Sequence, residues 1–222
     1  VVLVQYRVFP NNHILSQRDE VIKAIEFVRG SDVWKPDFLR ECGGDVELIL
    51  SGHSSGANVG ALAILKAVDD GYRLADSWIG LSGVYHIYKH YLWEKARGVH
   101  LISPMRGAAE LSGGFDLCSP TTILQRRYRQ QQASAAEAIT TALSLFPTML
   151  VLHGYDDRTV PVSSSLEFAQ ELVRFGVSSL THRAFLPDMD HGGPIMDLLL
   201  DDCDERSATG RAVVAWQREV HA

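Results

Sequence analysis

The sequence predicts an α/β fold, a mostly parallel sheet with helices on both faces, and three observations carry that expectation. Apolar runs of strand length alternate with stretches of helical spacing from end to end. The strand runs are apolar at successive positions, as in strands buried on both faces. Several close on a glycine-containing pair, where a chain leaves a sheet and turns.

Each element has its own signal. Residues 1–6, Val-Val-Leu-Val-Gln-Tyr, form an apolar, β-branched run closed by Pro10 and Asn11-Asn12, and read as a buried strand. Residues 18–28 place Val21, Ile22, Ile25 and Val28 at helical spacing, and Gly30 stops the run. Residues 46–50 are a short strand ended by Ser51-Gly52, and 58–68 are an Ala- and Leu-rich helix. Residues 78–81 are a strand closed by Ser82-Gly83, and 150–152 one ended by His153-Gly154. Residues 166–175 make an amphipathic helix stopped by Gly176, 180–186 a strand, and 213–220 a closing helix. Residues 85–145 break the rhythm and are too long for a single connection. Their aromatic residues Tyr85, Tyr88, Tyr91 and Trp93, and the polar run at 125–132, read as an inserted lid over the active edge.

The 222 residues fit one domain, 1–222. With 46% apolar and 22% charged residues the composition is that of a soluble globular protein. The net charge of -6 is scattered, and the absence of a basic stripe argues against a nucleic-acid partner. Cys42, Cys118 and Cys203 lie far apart without a CxxC pair, which fits a reducing compartment and no disulfide framework or zinc site. No stretch reaches the roughly 18 apolar residues that span a bilayer. The chain opens on Val1, already within a strand-like run, so upstream sequence is expected to be missing. Membrane association would come only through such sequence, and the location stays open between cytoplasm and endomembrane.

Gly52-His53-Ser54-Ser55-Gly56 matches G-x-S-x-G. A nucleophilic serine needs a sharp strand-to-helix turn that projects its hydroxyl, with glycines where strand and helix pass closely. The strand before and the helix after supply the required context, which the bare motif lacks. The rival reading is a plain Gly/Ser turn at a helix N-terminus. Ser55 N–H would be an oxyanion donor, helped by the helix dipole. His53 and Asn58 read as packing or capping residues.

A serine hydroxyl needs a histidine base, and the histidine needs a carboxylate to fix its tautomer. With chain order serine, acid, histidine, the turn after the 150–152 strand offers Asp156 and Asp157. Either could instead be a turn aspartate. His191, in the loop after the 180–186 strand, is the candidate base; its alternative is a surface-loop histidine. His182 falls mid-strand. His86 and His90 have the i,i+4 spacing of a metal pair but lack an HExxH pattern, so no metal is expected.

These residues resemble the α/β-hydrolase superfamily, in its carboxylesterase-like branch. Tyr6-Arg7-Val8-Phe9-Pro10 looks like that branch's YR-x-x-P segment, and His153-Gly154-x-x-Asp157-x-x-Val160-Pro161 is similar to its acid motif, which places the acid on Asp157. Tyr85, His90-Tyr91, Glu94, Arg97-Gly98-Val99, Ile102-Ser103-Pro104-Met105, Phe115 and Ser119-Pro120-Thr121 look like the lid segment of isoprenylcysteine methylesterase-like proteins, relatives of the kynurenine formamidases. The branch's HGGxW stretch, which completes the oxyanion hole, has no counterpart here, as in a chain that lacks its N-terminal strands.

The expected function is therefore a serine esterase with Ser54, Asp157 and His191 as triad, working without a cofactor on a small-molecule ester that carries an apolar group. The resemblance implies a prenylcysteine methyl ester. An arylformamidase acting on N-formylkynurenine is the alternative within the fold, and a non-catalytic hydrolase-like binding protein the alternative outside it.

Overall fold

Four short strands, each with aliphatic or aromatic residues facing both ways, lie at the centre of the molecule. In the computed structural model, which describes residues 1–30, 47–131, 140, 142–200 and 207–220, they are β1 (Ile49–His53), β2 (Ser77–Leu81), β3 (Thr148–Gly154) and β4 (Thr181–Leu186). All pair in parallel, in the order β1-β2-β3-β4. Parallel neighbours need crossovers, and helices supply them. The helices are α1 (Ile14–Gly30) before β1, α2 (Ser55–Asp69) between β1 and β2, α3 (Ile87–Ala96), α4 (Met105–Leu111) and α5 (Pro120–Gln131) between β2 and β3, α6 (Ser163–Phe175) between β3 and β4, and α7 (Gly193–Leu200) and α8 (Ala208–Val220) after β4.

Side chains alternate across a strand, so the sheet divides its core in two. Trp78, Met149 and Val151 face α1, α2, α5 and α6, where Val21, Ile25, Leu65, Leu124 and Phe168 meet them. Ile79, Leu81, Leu150 and Leu152 face the opposite way, against Trp216 of α8 and Ile195 and Leu198 of α7. Each of the large residues buried here contributes about 1.5–3 kcal/mol. A further cluster joins Ile14 of α1 and Leu62 of α2 to Val84, Ile87, Ala108, Ala109 and Cys118, and so packs the 85–120 region against those two helices. Burial pushes the Cys118 thiol up, away from the reactive thiolate.

The strand expected at residues 1–6 is absent: the segment runs without a ladder partner among the described residues. Val1, Val2 and Leu3 are exposed, and only Val4 and Tyr6 pack on the core. An apolar, β-branched run becomes a strand only beside another strand. Two features of the 85–145 stretch show how it packs. Tyr85 is fully buried and stacks on Phe168 with ring centroids 4.1 Å apart. In α5, Leu124 is core, and Gln125 donates to Glu171 of α6 at 3.2 Å. Residues 132–139 and 141 of that stretch, and Val46, Cys42 and Cys203, lie outside the described residues.

Candidate active site

In a parallel sheet all strands end at one edge. His53 pairs with Leu81, Leu81 with Leu152, and Gly154 with Leu186, so the turns after β1, β3 and β4 open side by side. Those turns carry Ser54, Asp157 and His191.

Ser54 sits between β1 and α2 at φ 55° and ψ -118°. A positive φ is strained for a serine, and the strain is held by its neighbours. Its N–H donates to Leu81 O at 2.9 Å. At Gly52 an added Cβ would lie 2.5 Å from Gly56 O, so strand and helix pass too closely for any side chain. Gly56 is different: its added Cβ would meet only Tyr6 Oη, at 3.7 Å. Ser55 occupies the first position of α2, where an N–H has no acceptor within the helix.

Gly154 ends β3, and an added Cβ there would lie within 2.0 Å of Met189 O. Asp156 N donates to that same carbonyl at 3.1 Å, which ties the 187–191 loop to the turn after β3. The tie brings His191 over Asp157. His191 Nδ1 is 2.7 Å from Asp157 Oδ2, and His191 Nε2 is 3.0 Å from Ser54 Oγ. With Nδ1–H donating to the carboxylate, Nε2 is left to accept the serine proton.

The Asp157 side chain is wholly buried. Its Oδ1 accepts the N–H groups of Thr159 and Val160, both at 2.8 Å. Its Oδ2 accepts from His191 and also lies 3.0 Å from His153 Nε2. Burial alone would raise the Asp157 pKa. The hydrogen bonds from His153, His191 and the Val160 N–H outweigh it and hold the carboxyl well below the usual carboxylate range. Asp157 is thus held in its ionised, accepting form near neutral pH. Asp156, the other candidate of the sequence, is exposed.

Two further histidines border the site. His53 Nε2 donates to His191 O at 2.7 Å, with the two rings 4.7 Å apart. Burial lowers the His53 pKa, against the pull of that carbonyl, and so favours the neutral ring. His153, buried beneath Asp157, was visible in the sequence only as part of the acid motif. Ser165, which contacts it, carries no sequence signal. His90 is buried on α3 and pairs with Glu94 at 3.2 Å. From the same helix, Trp93 Nε1 donates to Arg158 O at 3.1 Å, one residue past Asp157.

A parallel sheet with a strained serine elbow and its partners at the carboxyl edge is the α/β-hydrolase fold, and solved structures bear this out. An esterase/lipase from an uncultured bacterium superposes with a TM-score of 0.61 at 18% identity, over 98% of this chain and 65% of that one. The carboxyl esterase 2 of Tuber melanosporum superposes with a TM-score of 0.61 at 14% identity, over 96% and 65%. In sequence, the chain is similar to a probable isoprenylcysteine alpha-carbonyl methylesterase of Arabidopsis thaliana, 27% identical over 96% of this chain and 46% of the relative. It is also similar to the esterase LipQ of Mycobacterium tuberculosis, 27% identical over 74% of this chain and 37% of that protein. No protein-family model matches. The chain spans about half the length of the methylesterase relatives it matches, 46% and 55% for two of them.

Proposed function

We propose that the chain is the catalytic part of a carboxylic ester hydrolase with Ser54 as nucleophile, His191 as base and Asp157 as the acid that orients it. The observation behind this reading is the unbroken hydrogen-bonded line from Ser54 Oγ through His191 to Asp157 Oδ2. His191 Nε2 takes the hydroxyl proton as Ser54 Oγ bonds to the ester carbonyl carbon, and the carbonyl electrons move to oxygen. The oxyanion rests on the Ser55 N–H at the N-terminus of α2. Collapse breaks the bond to the alkoxy group, which leaves as the alcohol with the proton from His191. Water then adds to the acyl-enzyme and gives its proton to His191. Ser54 departs with that proton, and the carboxylic acid is released. Asp157 stays ionised throughout and stabilises the imidazolium. This acyl transfer needs no cofactor.

For the substrate we favour a prenylcysteine methyl ester. Support comes from the names of the methylesterase relatives and from the apolar surface of α3, where Tyr88, Leu92 and Trp93 are exposed and Trp93 bonds to the turn after Asp157. Among the described residues no helix is long and apolar enough to cross a membrane. The test is hydrolysis of a prenylcysteine methyl ester and of N-formylkynurenine, side by side, by the wild-type chain and Ser54→Ala. Faster turnover of the ester, lost in the variant, is expected. Faster turnover of the formamide overturns the substrate, and activity surviving in Ser54→Ala overturns the mechanism.

A further inference from the structure

We propose that His153 is a positioning residue of this site, which locks Asp157 Oδ2 in line with His191 and is itself locked by Ser165. The inference rests on the reading of Ser54, His191 and Asp157 as the reacting set.

His153 is the penultimate residue of β3 and has no exposed surface. Its Nε2 lies 3.0 Å from Asp157 Oδ2 and 3.0 Å from Val160 O. An ionised carboxylate and a peptide carbonyl can only accept. Nε2 therefore carries the proton, and in the neutral ring Nδ1 is an acceptor. The hydroxyl of Ser165, buried on α6 at 2.6 Å from Nδ1, fills that role as donor. The result is one hydrogen-bonded chain, Ser165 to His153 to Asp157 from one side and Ser54 to His191 to Asp157 from the other.

The geometry explains why a second imidazole is useful. Asp157 Oδ1 is already held by two backbone N–H groups of its own turn. Without His153, Oδ2 would be held only by His191, which belongs to a separate loop. His153 comes from the sheet itself, as the penultimate residue of β3. It sets the carboxylate plane before His191 or a substrate arrives, so little reorganisation remains for the reaction. Its effect should fall on kcat, since it touches no substrate-binding surface.

Three variants of the full chain test this, with p-nitrophenyl butyrate as the probe ester and fluorophosphonate labelling alongside. His153→Phe keeps ring bulk and loses the donor. His153→Gln keeps an N–H near the Nε2 position. Ser165→Ala removes the outer partner and leaves both rings in place. Loss of alignment by a fraction of an ångström to an ångström costs up to about 100-fold. Expected are a kcat about 10- to 100-fold lower in His153→Phe at an unchanged KM, substantial recovery in His153→Gln, and a smaller kcat loss in Ser165→Ala. Wild-type kcat in His153→Phe, or equal losses in the Phe and Gln variants, overturns the proposal. If His153→Phe does not fold, Ser165→Ala decides: wild-type kcat there overturns it. Ser54→Ala runs beside them. Labelling retained in that variant means the underlying site reading has failed, whereas labelling lost there with His153→Phe unaffected removes the role of His153 alone.

Discussion

Asp157 Oδ2 accepts from His191 Nδ1 at 2.7 Å while the whole Asp157 side chain lies out of solvent. The pairing joins the turn after β3 to the loop after β4. It fixes which nitrogen of His191 faces Ser54, and in the proposed mechanism the carboxylate thereby governs the base without contacting a substrate.

Replacing that carboxylate by an amide should be severe. An amide can donate to Nδ1, which turns the imidazole to the tautomer that cannot accept the serine proton. In a serine protease the equivalent change lowers kcat about 10,000-fold. Asp157→Asn is expected to lose about 1,000- to 10,000-fold in p-nitrophenyl ester hydrolysis. Asp156→Asn, at the exposed neighbour, is expected to stay within about threefold of wild type.

The same carboxylate gives stability a defined pH dependence. Its pKa in the folded chain is held below the unfolded value of about 3.9, so the folded state favours the ionised form. That stabilisation is fully present above pH ~4 and is lost as pH falls below it toward the folded pKa. Urea melts should show Asp157→Asn less stable than wild type by a constant margin from pH 6 to 8. The margin should narrow as the pH falls through ~4 to 3.

The two glycines of the elbow should respond in opposite ways. Gly52→Ala places a Cβ 2.5 Å from Gly56 O, and neither backbone can yield without opening the turn. A loss of about 1–3 kcal/mol, or failure to fold, is expected. Gly56→Ala lies in the first turn of α2 with only an ordinary contact to Tyr6. It should be neutral or stabilising by up to about 1 kcal/mol. Thermal melts of both variants check the contrast.

Asn58 joins α2 to two other segments. Its buried amide donates to Val84 O at 2.7 Å and to Cys118 O at 3.0 Å. Asn58→Ala leaves both carbonyls buried without this donor, at a cost of about 1–3 kcal/mol. The loss should appear in urea denaturation.

What the sequence revealed depended on how local each signal is. The apolar runs reproduce β2 and β3, which are buried on both faces, and also β4, whose residues are half-buried or exposed. The first apolar run misled because strand formation depends on a neighbour. Helix α1 starts at Ile14, four residues before its periodic stretch, where the polar residues 16–20 carry no apolar period. Helix α7 opens on Gly193-Pro194, residues that give no helix signal, although proline is tolerated in a helix's first turn. Ser54, His191 and the pair Asp156-Asp157 each sit in a turn just after a strand, where a local pattern points to them, whereas the choice of Asp157 within that pair came from the resemblance to the acid motif. The contacts of His153 with Ser165, and of His53 with the His191 carbonyl, have no such pattern. They join residues 12 and 138 positions apart, and only the packed sheet brings them together.

The most direct test of the central claim is to treat the full chain with a fluorophosphonate and locate the adduct by peptide mass spectrometry. A single adduct on Ser54, absent from Ser54→Ala and strongly slowed in Asp157→Asn, is the expected result. An adduct on any other residue, or labelling that persists in Ser54→Ala, would contradict it.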